Sequence, residues 1–313
     1  MTTTAIDEQV SEVLARTMVV EFATITPRGA LTTRPMSALW LPERDQILLT
    51  TPVAFPQKAF NVRRDHRVAL LYSDPTGSGL TDPPTVLVQG RAIAPHAFAP
   101  LDELSDYWRE VFGKFPWAAK KLESEQFQRT MDWFYWRIPI YVTPEQVHVL
   151  PQCEVGGAIE PPPPAPSTPL TAQVRDALWR YPTSVFTGRD DHGWPYASRA
   201  TITAATDGNS YLVKPVESVP AKSGPASLLW HRHGGRANQL MSSLLVVGTA
   251  STGPERLAFT PERIPAAAPS TETPLSPDDW RDQARKTSLN YLQQHNIDPP
   301  KINWPSLVNY AAS

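Results

Sequence analysis

The chain has one cysteine, Cys153, in 313 residues. A single thiol makes no internal disulfide and no multi-cysteine metal cluster, and it suits a reducing compartment. No apolar run approaches the length that spans a membrane. Charge of one sign is lacking too: 29 Lys and Arg against 31 Asp and Glu leave a formal net charge of −2. Nothing in that balance steers the chain to nucleic acid or an acidic membrane surface. The opening MTTTAIDEQVSEVL has no apolar stretch of the signal-peptide kind. These absences predict a cytoplasmic protein with no nucleic-acid and no membrane partner. Proline and tryptophan are plentiful, at 34 and 10 residues. The prolines stiffen loops and limit helix, and the tryptophans serve chiefly as packing, with a few free to stack on a ligand. The length predicts two domains.

The stretch from Leu48 to Leu71, LLTTPVAFPQKAFNVRRDHRVALL, carries the most chemistry. It reads as a strand ending in Thr50 and Thr51, a break at Pro52 and Pro56, a short helix with Lys58, Asn61, Arg63 and Arg64, and a second strand from Val68 to Tyr72. Hydroxyls at a strand end, facing cations and amides at a helix start, are donors suited to a phosphate dianion. The same residues also suit a solvated basic helix in an ordinary β-protein.

Around this stretch the patterning is mostly β. A short amphipathic helix is expected from about Asp7 to Met18, then a hairpin around Pro27-Arg28-Gly29 and a strand from Gln46 to Thr51. Thr85 to Ile93 alternates as a strand, with Gly90 marking a bulge or a close backbone approach. Residues 97–130 read as helical, with Leu101, Leu104, Tyr107, Trp108 and Val111 on one face. Trp133 to Leu150 reads as β again, with Pro144-Glu145 as its turn. Short strands at this spacing predict an antiparallel barrel. Glu154 to Pro169 contains EPPPPAPSTP, a polyproline-like spacer read as an inert linker.

Beyond the linker the first half recurs. TSVFTGRDDHGWPYASRATI echoes FATITPRGALTTRPMSAL, which sets Arg199 on Arg34. YLVKPVESVPAK echoes LLTTPVAFPQK, which sets Lys214 near Thr51 and Lys222 on Lys58. ASLLWH echoes VALLYS, SLLVVGTA echoes TVLVQGRA with Gly248 on Gly90, and RLAFTPERI echoes IYVTPEQVHV. Matching order over several elements marks an internal repeat. After Lys222 the second copy has no helix pattern and no N-x-R-R, so its phosphate site is expected to be degenerate. In the tail, Ser276-Pro277-Asp278-Asp279 reads as a helix start, with Trp280, Ala284 and Leu289 to Tyr291 as a packing face. Periodicity alone reaches antiparallel β in two similar halves.

The run Asn61-Val62-Arg63-Arg64-Asp65-His66-Arg67-Val68-Ala69-Leu70, with Lys58 three residues ahead, resembles the phosphate segment of the FMN-binding split-barrel superfamily. That superfamily includes pyridoxamine 5′-phosphate oxidases, flavin reductases and deazaflavin-dependent reductases. The resemblance implies a mainly β fold with a few helices, in the form of two tandem antiparallel split barrels joined as an internal pseudo-dimer. Residues 1–153 would be an N-terminal split barrel with the phosphate segment, 154–169 a proline-rich linker, and 170–313 a degenerate second barrel with a helical tail. A homodimer of the fused chain stays open. The implied cofactor is FMN, with deazaflavin F420 or haem as alternatives. The implied activity is that of an oxidoreductase on a small organic substrate, with NAD(P)H or a product as electron source; a non-catalytic cofactor carrier, or a fold kept without a cofactor, are the other readings.

Residue by residue, the resemblance sets Arg34 and Met36 under the cofactor and Trp40 near its ring. Lys58 with Arg63 or Arg64 would take the phosphate, Thr50 and Thr51 would donate hydroxyls, and Gln89 would border the ring. Asn61 fits either the ligand or a helix cap, and Arg67 fits a structural ion pair. No general base is named, because the redox step belongs to the cofactor. His231 and His233 in WHRHGGR could ligate metal or haem, but without a carboxylate pair or cysteine beside them they read as a loop pair, and no metal is expected.

Overall fold

The computed structural model describes residues 6–158, 160, 162–217, 222–236, 242–252, 257–265 and 276–312. The chain opens with α1 (Glu8–Arg16), capped by Asp7, whose side chain accepts from the Val10 amide at 2.9 Å. Its stripe of Val10, Val13 and Leu14 is buried. The strands β1 (Val20–Ile25) and β2 (Leu31–Met36) form the expected hairpin, turned at Gly29, whose φ of 77° suits a residue without Cβ. One residue, Ser37, separates β2 from β3 (Ala38–Leu41). Then come β4 (Gln46–Pro52), α2 (Gln57–Arg64), β5 (Arg67–Tyr72) and β6 (Thr85–Ile93). The helices α3 (Ser105–Lys114), α4 (Pro116–Ala119) and α5 (Glu125–Thr130) lead to the long β7 (Arg137–Leu150).

These strands form one antiparallel sheet in the order β2-β1-β5-β6-β7-β4-β3. Its two edges are consecutive in the chain, so it is a half-closed barrel split at Ser37. Phe22, Trp40, Leu49, Val68, Val88 and Ile140 share its interior core. The expected turn at Pro144-Glu145 is not a turn: β7 runs through it, and Pro144 sits opposite Gly90 where the ladder bulges. A proline cannot donate to the ladder, and the bulge is where that loss is tolerated.

The second unit follows residues 151–169, which carry no helix or strand among those described. It comprises α6 (Leu170–Arg180), β8 (Ser184–Arg189), β9 (Pro195–Ala204), β10 (Tyr211–Pro215), β11 (Gly224–Arg232), β12 (Ser242–Thr252) and β13 (Leu257–Arg263). Its strands close fully, in the order β10-β13-β12-β11-β8-β9. Two helices, α7 (Pro277–Gln294) and α8 (Trp304–Ala312), end the chain. Ser276 caps α7 by accepting from the Asp279 amide at 3.1 Å.

Strand register makes the duplication quantitative. Glu21, Phe22 and Ala23 of β1 pair with Leu71, Leu70 and Ala69 of β5, as Val185, Phe186 and Thr187 of β8 pair with Leu229, Leu228 and Ser227 of β11. Ala38 pairs with Leu49 as Ile202 pairs with Val213. Gly90 faces Pro144 across a bulge, as Gly248 faces Pro261. A Cβ on either glycine would meet a backbone carbonyl, Thr143 O at 2.4 Å or Thr260 O at 2.0 Å. The β2–β3 pair corresponds to the unbroken β9. The register corrects one alignment: Phe22 faces Arg34 and Phe186 faces Ser198, so Ser198, not Arg199, occupies the place of Arg34. Sequence similarity alone was drawn to the matching arginine, and a slip of one residue puts a strand side chain on the opposite face.

The two units meet face to face. Ala23, Ala69, Leu71 and Leu87 of the first pack with Val185, Tyr196, Ala197, Leu229 and Leu245 of the second in one buried apolar seam. The terminal helices return to the first unit. There Ala284, Tyr291 and Leu292 join its core, Tyr291 stacks on Phe60, and Trp280 stacks on Phe55. Trp136 donates to Pro300 O at 3.1 Å, and Arg285 pairs with Asp132 at 3.0 Å.

Candidate functional site

Lys58 stands near the start of α2, half-buried, with no hydrogen bond or carboxylate partner among the described residues. Its surroundings are cationic. Burial first, then the charges of Arg137 and Arg34, push its ammonium down to about 8. Three cations thus converge where β2, α2 and β7 approach. Clustered cations without carboxylates are unfavourable alone and suited to a multivalent anion.

Arg137 was not singled out in the sequence. Its signal was there, as a lone cation in the aromatic and apolar run WFYWRIPIYV. It is buried at the start of β7, and burial pushes its guanidinium below the ordinary value. Its Nε donates to Thr50 Oγ1 at 2.8 Å and its Nη1 to Phe134 O at 3.3 Å, and its plane lies over the Phe134 ring. With donors so engaged, Arg137 acts on the site through its field.

The other expected residues divide. Thr50 holds Arg137, and Thr51 donates to Phe55 O at 2.8 Å, closing the turn ahead of α2. As neighbours on a strand they project to opposite faces, and both are fully buried. Asn61 donates to Thr24 Oγ1 at 3.0 Å and accepts from Gln57 at 2.9 Å, tying α2 to β1. Arg63 donates to Ala94 O at 3.0 Å and to Pro95 O, and Arg64 donates to Ile25 O. These two arginines staple α2 to the strand ends, and the structure does not bring them to Lys58. Arg67 makes its ion pair with Asp65 at 2.8 Å. Met36 packs against the barrel core. Trp40 is inside the barrel, donating to Ser11 Oγ at 2.9 Å, so it is a core residue rather than a ring contact. Gln89 is at the seam, where its amide donates to Asp190 Oδ2 at 3.0 Å and to Pro195 O at 2.8 Å.

The equivalent place in the second unit carries no such cluster among the described residues. Ser198 replaces Arg34. Lys222 is exposed and donates to Asp191 O at 2.7 Å. Residues 218–221, part of the stretch aligned with the phosphate segment, lie outside the described residues, as does Arg256 of the last repeat motif.

Arg199 has a different task. It lies at the seam, donating to Glu21 Oε1 at 2.9 Å and to Ser73 Oγ at 2.8 Å. His231 Nε2 is 2.7 Å from the same Glu21 oxygen, and His233 Nε2 is 3.3 Å from Asp74 Oδ2. Each histidine faces a carboxylate of the opposite unit, and no group of three metal-ligating side chains occurs among the described residues. Burial alone would raise the Glu21 carboxyl. The bonds from His231 and Ser73 and the charge of Arg199 outweigh it and hold Glu21 below its ordinary value.

On its other side Arg34 borders a pocket of about 510 Å³ between the units. The remaining wall comes from Pro163 to Pro166 of the linker, from α6, from Ser243 to Leu245, and from Ile264 and Pro265. The linker is therefore part of a pocket wall rather than an inert spacer. Gln173 fastens it, donating to Pro166 O at 3.2 Å and to Thr168 O at 2.7 Å.

No family model matches the chain. No curated protein is similar to it at the level required of a match. Solved structures are similar to parts of it. One described as an F420 reductase is 17% identical, covers 44% of this chain and 94% of its own, and has a TM-score of 0.30. A conserved hypothetical protein of Mycobacterium tuberculosis is 21% identical over 50% of this chain and 95% of its own, with a TM-score of 0.34. A candidate pyridoxamine 5′-phosphate oxidase of Listeria innocua is 16% identical over 47% of this chain and 98% of its own, with a TM-score of 0.31. The topology itself is that of two tandem split barrels in one polypeptide.

Proposed function

We propose that the chain is a flavin-dependent oxidoreductase that holds one FMN by its phosphate at Lys58, with the second barrel as the wall over the site. The observation that carries this reading is Lys58 itself: a half-buried ammonium between two guanidinium groups, with no carboxylate to neutralise it among the described residues. Such a cluster is relieved by a dianion, and a phosphate monoester carries a charge of about −1.5 to −2 at neutral pH. A site of this kind fits FMN and fits the phosphate of a deazaflavin equally.

In this reading Lys58 contacts the phosphate, and Arg34 and Arg137 add their fields. Thr50 orients Arg137, while Thr51, Asn61, Arg63 and Arg64 fix α2 so that Lys58 is presented without searching. When bound, the flavin supplies reversible electron transfer, and the protein supplies position, water exclusion and the substrate cavity. The substrate would be a small organic molecule, with NAD(P)H or a product as electron source. No helix among the described residues is long and apolar enough to cross a membrane.

The test is an absorbance spectrum of freshly purified protein, followed by release and mass of any chromophore. Flavin bands with the mass of FMN support the proposal, and the mass of F420 transfers the site to deazaflavin. A colourless protein that takes up neither FMN, F420 nor haem on titration ends the enzyme reading.

A further inference from the structure

The pocket between the barrels adjoins the Lys58 cluster through Arg34 and differs from it in the rest of its lining. Its described lining contains two guanidinium groups, Arg34 and Arg180, and one carboxylate, Asp176. Arg180 and Asp176 neutralise each other in a two-pronged pair, with bonds of 3.0 and 2.8 Å. Arg34 is left as a single net positive charge. Its described bond is a long one, 3.5 Å to Pro265 O, and burial pushes its guanidinium below the ordinary value. A half-buried cation with unused donors is costly until an anion meets it.

Most of the rest of the wall is apolar, with Ser243, Tyr181 and Gln173 as its other polar side chains. Leu244, Leu245 and Ile264 supply aliphatic surface, and Pro163, Pro164 and Pro166 have no backbone N–H to offer. The pocket thus provides one forked cation beside a mainly apolar wall. A guanidinium matches a carboxylate with two parallel bonds. The single net charge of this lining suits a monoanion, and Lys58, on which the phosphate reading rests, is not part of the lining.

We propose that this pocket seats a hydrophobic carboxylate, an aromatic or branched-chain acid, with its carboxylate on Arg34 and its apolar body under the proline strap. The proposal rests on the oxidoreductase reading only in making this acid the substrate; the binding stands or falls alone. Because the strap is held by Gln173 in the same chain, the pocket is complete without a second copy.

Calorimetric titration of the full chain with 2-naphthoate, and with its neutral analogue 2-naphthamide, tests this. The acid should bind about ten- to a hundredfold tighter than the amide, the range of a charge-assisted pair. Arg34→Gln should erase that difference, and Ala165→Trp, on the exposed strap, should weaken both ligands. Lys58→Met should change naphthoate binding by less than about threefold, because it removes a charge outside the lining. Equal affinity for acid and amide, or naphthoate lost in Lys58→Met but kept in Arg34→Gln, would overturn the proposal. So would competition between FMN and naphthoate, which would give the pocket to the cofactor. FMN titrated into the same variants separates the readings: naphthoate bound without any FMN uptake sinks the flavin site and leaves the carboxylate pocket standing.

Discussion

The two barrels share a register and differ in what they do with it. Their strands pair alike from α1 and α6 through the glycine bulges, so the backbone plan is the same twice. Side chains diverge at the cation cluster and where the units meet each other. Arg34 faces one partner strand where the copy has Ser198, and Glu21 occupies the place of Val185. In a dimer of identical chains any such residue would appear on both sides of the axis. Here Glu21 and Asp74 of the first unit face Arg199, His231 and His233 of the second, while Asp190 of the second accepts from Gln89 of the first. Fusion lets the two halves carry different groups at matching places of the seam, such as Glu21 where the copy has Val185, which no symmetric pair of identical surfaces can do. It also lets one half keep a cation cluster that the other lacks among the described residues.

The largest break in that comparison should come at Glu21. Glu21→Ala leaves Arg199 buried without its carboxylate, at about 3–5 kcal/mol of stability. Val185→Ala at the equivalent place removes only apolar contact, at about 2 kcal/mol. Urea unfolding of both variants checks the gap, and equal losses would mean that the seam charge contributes nothing. The Glu21 carboxyl is lowered in the fold, so its stabilisation is present above the unfolded carboxylate value and is lost as pH falls through the lowered folded value. Val185→Ala should leave that acid limb unchanged.

The next comparison is between the two lysines at matching places in the repeat. Lys58→Ala should cost FMN about 1.5–3 kcal/mol of affinity, the range for a hydrogen bond to a charged group. Lys222→Ala should cost nothing measurable by fluorescence titration, since Lys222 is exposed and bound to Asp191 O. Equal losses would reveal two working sites per chain. The bulge glycines test the shared part instead. A Cβ would strike a carbonyl in each barrel, so Gly90→Ala and Gly248→Ala should each destabilise by about 1–3 kcal/mol. A marked inequality in thermal melts would mean that the second barrel has relaxed where the first has not.

The repeat was legible in the sequence because its signals were local: the glycine bulge, the Thr-Pro-Glu motif and the hairpin turn. Lys58 drew notice because a helix-start lysine between two strands is a short-range pattern, and the structure places it there. Arg34 against Ser198 was not, because similarity rewards matching letters while the ladder counts residues. Arg137 escaped because it is far in sequence from Lys58 and joins it only when β7 pairs with β4. Arg63 and Arg64 looked equal to Lys58 as charges, yet the carbonyls that take them, of Ala94 and Ile25, belong to other strand ends. The linker's part in the pocket depended on the long-range packing of α6 and could not be read from a proline count.

The smallest expected effect is also the one most specific to Lys58. In the free protein its ammonium loses its proton at about 8, well below an ordinary lysine. A phosphate monoester is fully dianionic above its second pKa of about 6. FMN affinity should therefore be greatest between roughly pH 7 and 8 and should fall above that range, by up to about tenfold per pH unit, or about 1.4 kcal/mol. The sign follows from the bound state, in which the phosphate restores the lysine's charge, so binding above pH 8 must take up a proton. Calorimetry in two buffers of different ionisation enthalpy counts that proton directly. Lys58→Arg keeps its charge across the range, so its affinity should be flat from pH 7 to 9.5 with no proton uptake. A wild-type profile as flat as that variant's would remove Lys58 from the phosphate.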